Sequence, residues 1–212
     1  MKKILCYGDS NTYGYNPENS GRYNKTTRWT ALLVKLLGND YEIIEEGCNN
    51  RTGFAYNPCG FIQNGQKYLP VCLREYSDID IAILALGTND LQTSFHIDWE
   101  IVEKGLLTLI ATVKKFHPGA RIIIVPPVIL SEDILNGAFA HQFDRNSIDK
   151  SKQIGQIYKQ IAQASHCEII DFNEFVSPSE QDGLHYCAQA HAIIAEKLTD
   201  FIEEGTFNEN NR

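Results

Sequence analysis

The sequence predicts an α/β fold in which a five-stranded parallel sheet lies between two layers of helices. Short apolar runs alternate along the chain with longer amphipathic segments, which is typical of β-α units around a parallel sheet. Two of the runs, 81–86 and 122–125, are apolar at every position, as expected for strands covered on both faces. With 212 residues, the chain is long enough for one such domain and short for two.

Five strands are predicted, separated by segments long enough to cross over the sheet. They span residues 3–7, 41–45, 79–86, 121–125 and 168–171. The fourth strand is expected to stop sharply because Pro126 and Pro127 follow it, and proline lacks the backbone N–H that a central strand donates.

Four helices are predicted between and after these strands, over residues 29–37, 98–116, 145–164 and 188–203. In the third helix, Ile154, Tyr158 and Ile161 recur at three- and four-residue spacing and form one apolar stripe. The stretch 47–73 is rich in Gly, Asn and Pro, and we expect a long loop there with room for a short helix. A loop of that length is uncommon in a compact domain unless it serves a site.

The composition is that of an ordinary globular protein, with 43% hydrophobic and 22% charged residues. We expect a single domain over residues 1–205 and a polar C-terminal tail over residues 206–212. The net charge of −8 and the lack of a lysine-arginine cluster argue against a nucleic-acid-binding surface. No signal peptide and no apolar stretch of about 20 residues is visible, so we expect no membrane association and a cytoplasmic location. In that compartment the six cysteines are expected to be reduced.

Polar motifs stand at the ends of two predicted strands and before the last helix. Ser10 follows the first strand in the segment Gly-Asp-Ser, Asn89 follows the third strand, and Asp182 and His185 precede the last helix. Ligands of open parallel sheets bind beyond the carboxyl ends of the strands, so these residues are expected to converge. A hydroxyl, an imidazole, a carboxylate and an amide donor are the components of a serine acyl-transfer site. Each motif alone would be weak, but their order and placement together predict an esterase.

The same motifs resemble those of the SGNH hydrolases, also called GDSL-type esterases and lipases, and most closely the arylesterase and acyltransferase branch of that family. The resemblance extends from Ile4 to about Leu198. It rests on the segments 4–10, 28–30, 44–52, 68–70, 86–90 and 182–185. It implies the flavodoxin-like, three-layer α/β/α fold of these enzymes.

The resemblance also implies a role for each site residue. Ser10 is the expected nucleophile, His185 the general base and acid, and Asp182 the carboxylate that orients the imidazole. The expected oxyanion donors are the backbone amides of Ser10 and Asn50 and the side-chain amide of Asn89. Asn50 departs from the family pattern, which has Gly or another small residue there. Because Asn enters the left-handed region more readily than other non-glycine residues, we expect its backbone amide to keep the donor position.

Three other carboxylates lie near the motifs. We expect Asp9 and Asp90 to hold their loops through hydrogen bonds to the backbone, a common role of Asp in turns. Asp171 is the main rival of Asp182 as the triad acid, because it ends a strand. The spacing and the resemblance both favour Asp182, which stands three residues before His185.

Substrate contacts are less well defined by the sequence. Asn11, Tyr15 and Thr88 are candidate substrate-binding residues, and the first two stand where arylesterase-like members often have bulkier apolar groups. The segment 131–144 contains two phenylalanines and a histidine. It forms either a second wall of the pocket or a part of the core or of a subunit contact.

The predicted activity is hydrolysis of short-chain carboxylic esters through an acyl-enzyme, with acyl transfer to an alcohol as a side activity. One alternative is a carbohydrate acetylesterase that uses the same site. Another is a noncatalytic flavodoxin-like binding module whose first loop holds a phosphate, although no glycine-rich phosphate fingerprint is present. The other histidines show no zinc-type spacing, so neither a metal nor a cofactor is expected. The resemblance further implies a homo-oligomer.

Overall fold

The computed structural model describes residues 1–210, with the helical backbone alone for residues 206–210. Its sheet contains five strands: β1 (Lys2–Gly8), β2 (Tyr41–Gly47), β3 (Ile79–Ala85), β4 (Arg121–Ile124) and β5 (Glu168–Ile169). All neighbouring strands are parallel, and their order in space is β2-β1-β3-β4-β5. The five predicted strands are confirmed, with small differences at their ends.

Within the described residues, six α-helices cover the sheet: α1 (Ser10–Tyr13), α2 (Trp29–Leu37), α3 (Gly65–Glu75), α4 (Trp99–Phe116), α5 (Arg145–Ser165) and α6 (Ala188–Asn210). α2 packs against α6, and α4 packs against both α3 and α5. The predicted three-layer α/β/α fold is thus confirmed. Asp98 and Asp144 begin α4 and α5, because the carboxylate of each accepts a hydrogen bond from a backbone N–H of the first turn.

Two helices extend beyond their predicted bounds. α3 is the helix for which the predicted long loop left room, and it runs to Glu75 although Pro70 lies inside it. Its residues Leu69, Cys72 and Leu73 are buried against the core, and this packing outweighs the cost of the proline. α6 continues past residue 203 to Asn210, because no proline interrupts it and one internal glycine is tolerated at a cost of about 1 kcal/mol. Residues 211–212 of the predicted tail lie outside the described residues.

The sheet has its switch point between β1 and β3. The chain leaves β1 to form β2 on one side and then forms β3 on the other side, which opens a crevice at the carboxyl ends of β1 and β3. Ile4, Leu5 and Ile83 in these two strands are fully buried, so the crevice lies directly beyond the hydrophobic core. Ser10 and Asn89, which follow the two strands, therefore stand on opposite sides of this crevice.

None of the helices within residues 1–210 is long and apolar enough to cross a bilayer. The six cysteines are free thiols. Cys72 is buried in the core, where burial raises the pKa of its thiol to about 12, so it acts there as a small apolar residue.

Candidate active site

Ser10 is the first residue of α1, at the carboxyl end of β1. Asp9 caps this helix, because its Oδ1 accepts a hydrogen bond from the backbone N–H of Asn11 at 2.9 Å. The end of β2 approaches α1 so closely that only glycine fits there: a Cβ atom on Gly47 would lie 2.2 Å from the backbone nitrogen of Tyr13. Both contacts fix the backbone that carries the Ser10 hydroxyl, and Ser10 remains 7% exposed.

Asp182 and His185 share a tight turn just before α6. Gly183 takes the left-handed conformation that this turn requires, with φ at 66°. Asp182 Oδ1 accepts hydrogen bonds from the backbone N–H groups of Leu184 and His185, at 3.0 and 2.9 Å. These bonds turn the side chains of Asp182 and His185 towards the same site.

The three side chains form a hydrogen-bonded series. Asp182 Oδ2 lies 2.7 Å from His185 Nδ1, and His185 Nε2 lies 2.9 Å from Ser10 Oγ. Burial alone would raise the pKa of Asp182, but hydrogen bonds from His185 hold that pKa below its usual value. Because an ionised carboxylate can only accept hydrogen bonds, a neutral His185 carries its proton on Nδ1. Nε2 is then free to accept the Ser10 proton.

Asp171, the rival acid, is used elsewhere. It caps the short turn that follows β5, where its Oδ1 accepts hydrogen bonds from the backbone N–H and the side-chain amide of Asn173, at 3.1 and 2.8 Å. Within residues 1–210, no group of three or more His, Cys, Asp or Glu side chains is arranged to hold a metal ion.

The three expected oxyanion donors are the backbone N–H groups of Ser10 and Asn50 and the side-chain amide of Asn89. The backbone N–H groups of Ser10 and Asn50 have no acceptor within the described part of the chain. Asn50 adopts the left-handed conformation anticipated for it, with φ at 59°. The side-chain amide of Asn89 donates one hydrogen bond to the backbone carbonyl of Arg51 at 3.1 Å, which leaves its second N–H for a ligand. Ser10, Asn50 and Asn89 line one cavity with His185.

Asp90 anchors the loop that carries Asn50. Its carboxylate accepts three consecutive backbone N–H groups, from Gly53, Phe54 and Ala55, at 2.6, 2.8 and 2.7 Å. Asp90 has no exposed surface, and this burial raises its pKa to about 6 although the three N–H groups act in the opposite direction. The loop-holding role expected of Asp90 is therefore present in the structure.

The catalytic candidates open onto a cavity of about 230 Å³. Aromatic rings flank His185 on this side: the ring of Tyr15 lies 4.1 Å from the imidazole and that of Phe139 lies 5.3 Å from it, between centroids. Apart from Leu184, the remaining wall is polar and amide-rich. The full lining consists of Ser10, Tyr15, Asn49, Asn50, Asn89, Phe139, Gln142, Leu184 and His185.

The segment 131–144 contributes both to this cavity and to the core. Phe139 lines the cavity, while Phe143 is 3% exposed and packs in the core. The segment therefore forms a wall of the pocket through Phe139 and a part of the core through Phe143.

Two residues predicted to bind substrate have their side chains engaged outside this cavity, whereas Tyr15 lines it. Asn11 ties α1 to the histidine turn: its Nδ2 donates to the carbonyl of Leu184 at 3.2 Å, and its Oδ1 accepts from the N–H of Tyr186 at 3.1 Å. The Thr88 side chain lies beside Asp9, where burial raises the pKa of the Asp9 carboxyl and the interaction with Thr88 opposes that rise. Both side chains thus support the loops that carry the site.

Sequence reasoning missed the contribution of two residues, Arg51 and Gln92. The buried guanidinium of Arg51 donates to the carbonyl of Gly8 at 3.1 Å and also to that of Glu46, while its Nε donates to the carbonyl of Ile62 at 2.9 Å. It thereby joins the ends of β1 and β2 to the long loop. In the sequence, the only indication that these two residues support the site is their position: Arg51 follows Asn50 directly, and Gln92 stands three residues after Asn89.

Comparisons with known proteins agree with this geometry. The model of the GDSL-like lipase/acylhydrolase family matches residues 6–193. Two carbohydrate acetylesterase structures from Sinorhizobium meliloti, one of them Est24, are 30% and 29% identical to the chain and each has a TM-score of 0.89. An inhibitor-bound aryl esterase from M. smegmatis is 27% identical, also with a TM-score of 0.89. All three alignments cover 96% of this chain and 98% or 99% of the other. No curated protein sequence matches the chain.

Proposed function

The chain belongs to the GDSL-like lipase/acylhydrolase family, and on that premise we propose that it is a serine esterase that hydrolyses short-chain carboxylic esters through an acyl-enzyme. The observation that carries the proposal is the series Ser10, His185 and Asp182, with contacts of 2.9 and 2.7 Å between the reacting atoms. A noncatalytic binding module would have no use for a hydroxyl, an imidazole and a carboxylate in this order.

In the proposed mechanism, Ser10 Oγ attacks the ester carbonyl while His185 Nε2 takes its proton. Asp182 holds the imidazole tautomer and stabilises the imidazolium. The oxyanion of the tetrahedral intermediate accepts hydrogen bonds from the backbone amides of Ser10 and Asn50 and from the Asn89 side chain. His185 then protonates the leaving alcohol.

The acyl group leaves the enzyme in the second half of the reaction. Water, deprotonated by His185, attacks the carbonyl carbon of the acyl-enzyme. The bond from this carbon to Ser10 Oγ then breaks, His185 returns the proton to Ser10 Oγ, and the carboxylic acid is released. An alcohol that enters in place of water receives the acyl group instead, which accounts for the proposed acyltransferase side activity.

A preference for short acyl groups follows from the size of the site. The cavity of about 230 Å³ is below the range of roughly 300–1,000 Å³ that encloses drug-sized ligands. Nitrophenyl acetate and butyrate should therefore be hydrolysed faster than the palmitate ester. If kcat/KM were higher for the palmitate ester than for the acetate and butyrate esters, the protein would act as a lipase and this proposal would be wrong.

The decisive test is Ser10→Ala. Removal of the nucleophilic oxygen should lower kcat for nitrophenyl acetate by about 10⁴- to 10⁶-fold, without changing the unfolding midpoint. Ser77→Ala is the matched control, because Ser77 is an exposed serine outside the site and should keep full activity. Near-normal turnover by a folded Ser10→Ala protein would remove Ser10 from the mechanism.

A carbohydrate acetylesterase is the second candidate function. It is favoured by the two aromatic rings beside His185 and by the amide side chains of Asn49 and Gln142, because sugars stack on aromatic faces and hydrogen-bond to amides. Measurement of kcat/KM for glucose pentaacetate and for ethyl acetate would compare the two functions. If Phe139→Ala lowers both values equally, the sugar interpretation loses its support.

A further inference from the structure

Gln92 links the two asparagines of the oxyanion site. Its Nε2 donates one hydrogen bond to Asn89 Oδ1 at 3.1 Å and one to Asn50 Oδ1 at 3.0 Å. Gln92 is 8% exposed and is absent from the lining of the catalytic cavity. It stands behind the two asparagines and does not face the substrate.

The side-chain amides of Asn89, Gln92 and Asn50 form a chain of hydrogen bonds, and the Arg51 carbonyl fixes which atom of each amide donates and which accepts. The Arg51 carbonyl is a pure acceptor, so the Asn89 end that faces it must be the NH₂ group, at 3.1 Å. Asn89 Oδ1 therefore faces Gln92, and the Gln92 group that faces it must be a donor. The NH₂ group of Gln92 also faces the side chain of Asn50, so the Asn50 atom at this contact must be the acceptor Oδ1. The NH₂ group of Asn50 then faces Cys59 Sγ at 3.3 Å. Only one assignment of oxygen and nitrogen satisfies all of these contacts.

The orientation of the Asn89 amide decides whether it can stabilise an oxyanion. In the observed orientation the second N–H of Asn89 is available to the developing negative charge. A reversed amide would present its carbonyl oxygen to that charge and repel it. The cost of reversal is set by the groups that hold the amide, which are the Arg51 carbonyl on one side and Gln92 on the other.

We propose that Gln92 is a positioning residue that holds the Asn89 amide in its donating orientation and joins it to Asn50. The inference rests on the proposed esterase function, because it assumes that Asn89 donates to an oxyanion. The proposal also assigns a role to the Asn50 side chain that a glycine at this position could not have. Asn50 Oδ1 accepts a hydrogen bond from the second N–H of Gln92 and so holds this NH₂ group in place. The Gln92–Asn50 hydrogen bond thus connects two loops that are 42 residues apart in the sequence.

The test uses two variants of Gln92. Gln92→Met keeps the length of the side chain and removes its donors. Gln92→Glu keeps its shape and places carboxylate oxygens opposite two acceptor oxygens, and it serves as a second variant should the methionine protein fold poorly. Each should lower kcat for nitrophenyl acetate by about 10- to 100-fold, below the roughly 10²- to 10³-fold loss expected when an oxyanion donor is removed, with little change in KM.

A double-mutant cycle separates positioning from a general effect on packing. If Gln92 acts through Asn89, Gln92→Met should change kcat by less than about threefold in an Asn89→Ala background. Gln142→Met is the matched control: Gln142 lines the cavity but its side-chain amide contacts His141 and neither asparagine. Its effect on kcat should be the same with and without Asn89.

The outcomes distinguish this inference from the proposed function. If Ser10→Ala is inactive while both Gln92 variants keep the wild-type kcat, the positioning role is wrong and the esterase mechanism stands. An equal loss from Gln92→Met in the wild-type and Asn89→Ala backgrounds would also overturn the role. If Ser10→Ala remains active, the proposed function itself fails.

Discussion

Two buried aspartates support the two halves of the site, and their pKa values are shifted in opposite directions. Asp182, in the histidine turn, is paired with His185, and the pairing keeps its pKa low despite burial. Asp90, beside the oxyanion loop, accepts hydrogen bonds from three neutral backbone N–H groups, and burial raises its pKa to about 6. A nearby imidazole that can become positive thus offsets the cost of burying a carboxylate, whereas three neutral donors do so only in part.

The two halves also differ in how the chain assembles them. The histidine turn is local, since the acid and the base stand three residues apart and share hydrogen bonds within one turn. The oxyanion half joins segments that are about 40 residues apart, through Asp90, Gln92 and the Arg51 carbonyl. Substitutions in the first half that keep the hydrogen bonds of the turn, such as Asp182→Asn, should therefore affect chemistry alone, and those in the second half should affect both chemistry and stability.

Among the substitutions that test this comparison, Asp182→Asn is expected to have the largest effect. An amide in this position can donate to His185 Nδ1, which stabilises the tautomer whose Nε2 carries the proton and cannot accept the Ser10 proton. We expect kcat to fall by about 10⁴-fold with a near-normal KM, measured on nitrophenyl acetate. Asp171→Asn, at the rival position, should have no comparable effect. If Asp171→Asn were the inactive variant, the assignment of the triad acid would be reversed.

Asn89→Ala tests the chemistry of the oxyanion half. Loss of its side-chain donor should lower kcat by about 10²- to 10³-fold, with a smaller change in KM. The comparison of the two halves also predicts a lower unfolding midpoint, because Asn89 bonds to both Arg51 and Gln92. A variant with normal kcat and reduced stability would leave Asn89 as a structural residue only.

The Asp90 shift predicts a pH dependence of stability. The pKa of Asp90 in the folded protein, about 6, lies above the value of 3.8 for an unperturbed aspartate, so the folded state holds this proton more tightly. The resulting stabilisation is lost as pH rises between these two values. Relative to Asp90→Asn, the free energy of unfolding of the wild-type protein should fall by about 1.4 kcal/mol per pH unit between about pH 4 and 6. Urea unfolding at several pH values measures this difference. A flat difference would show that folding does not raise the pKa of Asp90.

The smallest effect is expected from Asn50→Gly. Glycine adopts the φ of 59° without strain and keeps the backbone donor, so most activity should remain. The lost hydrogen bond to Gln92 and the added freedom of the unfolded chain should lower the free energy of unfolding by about 0.5–1 kcal/mol. If Asn50→Gly lost most of its kcat while Asn89→Ala kept a normal kcat, the roles of the two asparagines would be reversed.

The sequence predicted the histidine half better than the oxyanion half, for a physical reason. Ser10, Asp182 and His185 stand next to the end of a strand or the start of a helix, so their placement already predicts that they converge, and the family resemblance implies their roles. Gln92 matters only because its amide meets Asn50, and no local pattern encodes a contact across 42 residues. α3 was likewise anticipated only as a short helix in a loop, because Pro70 argues against a helix until the buried face of Leu69 and Leu73 is seen.

Asn11 gives the site a further property. Its side chain bonds to both the carbonyl of Leu184 and the N–H of Tyr186, so the helix that begins at Ser10 and the turn that carries His185 are fastened to each other on both sides of the base. A local opening that separated the hydroxyl from the imidazole would first have to break this clamp. On heating, ester hydrolysis should therefore disappear together with the folded protein and not before it, so the inactivation curve and the melting curve should coincide.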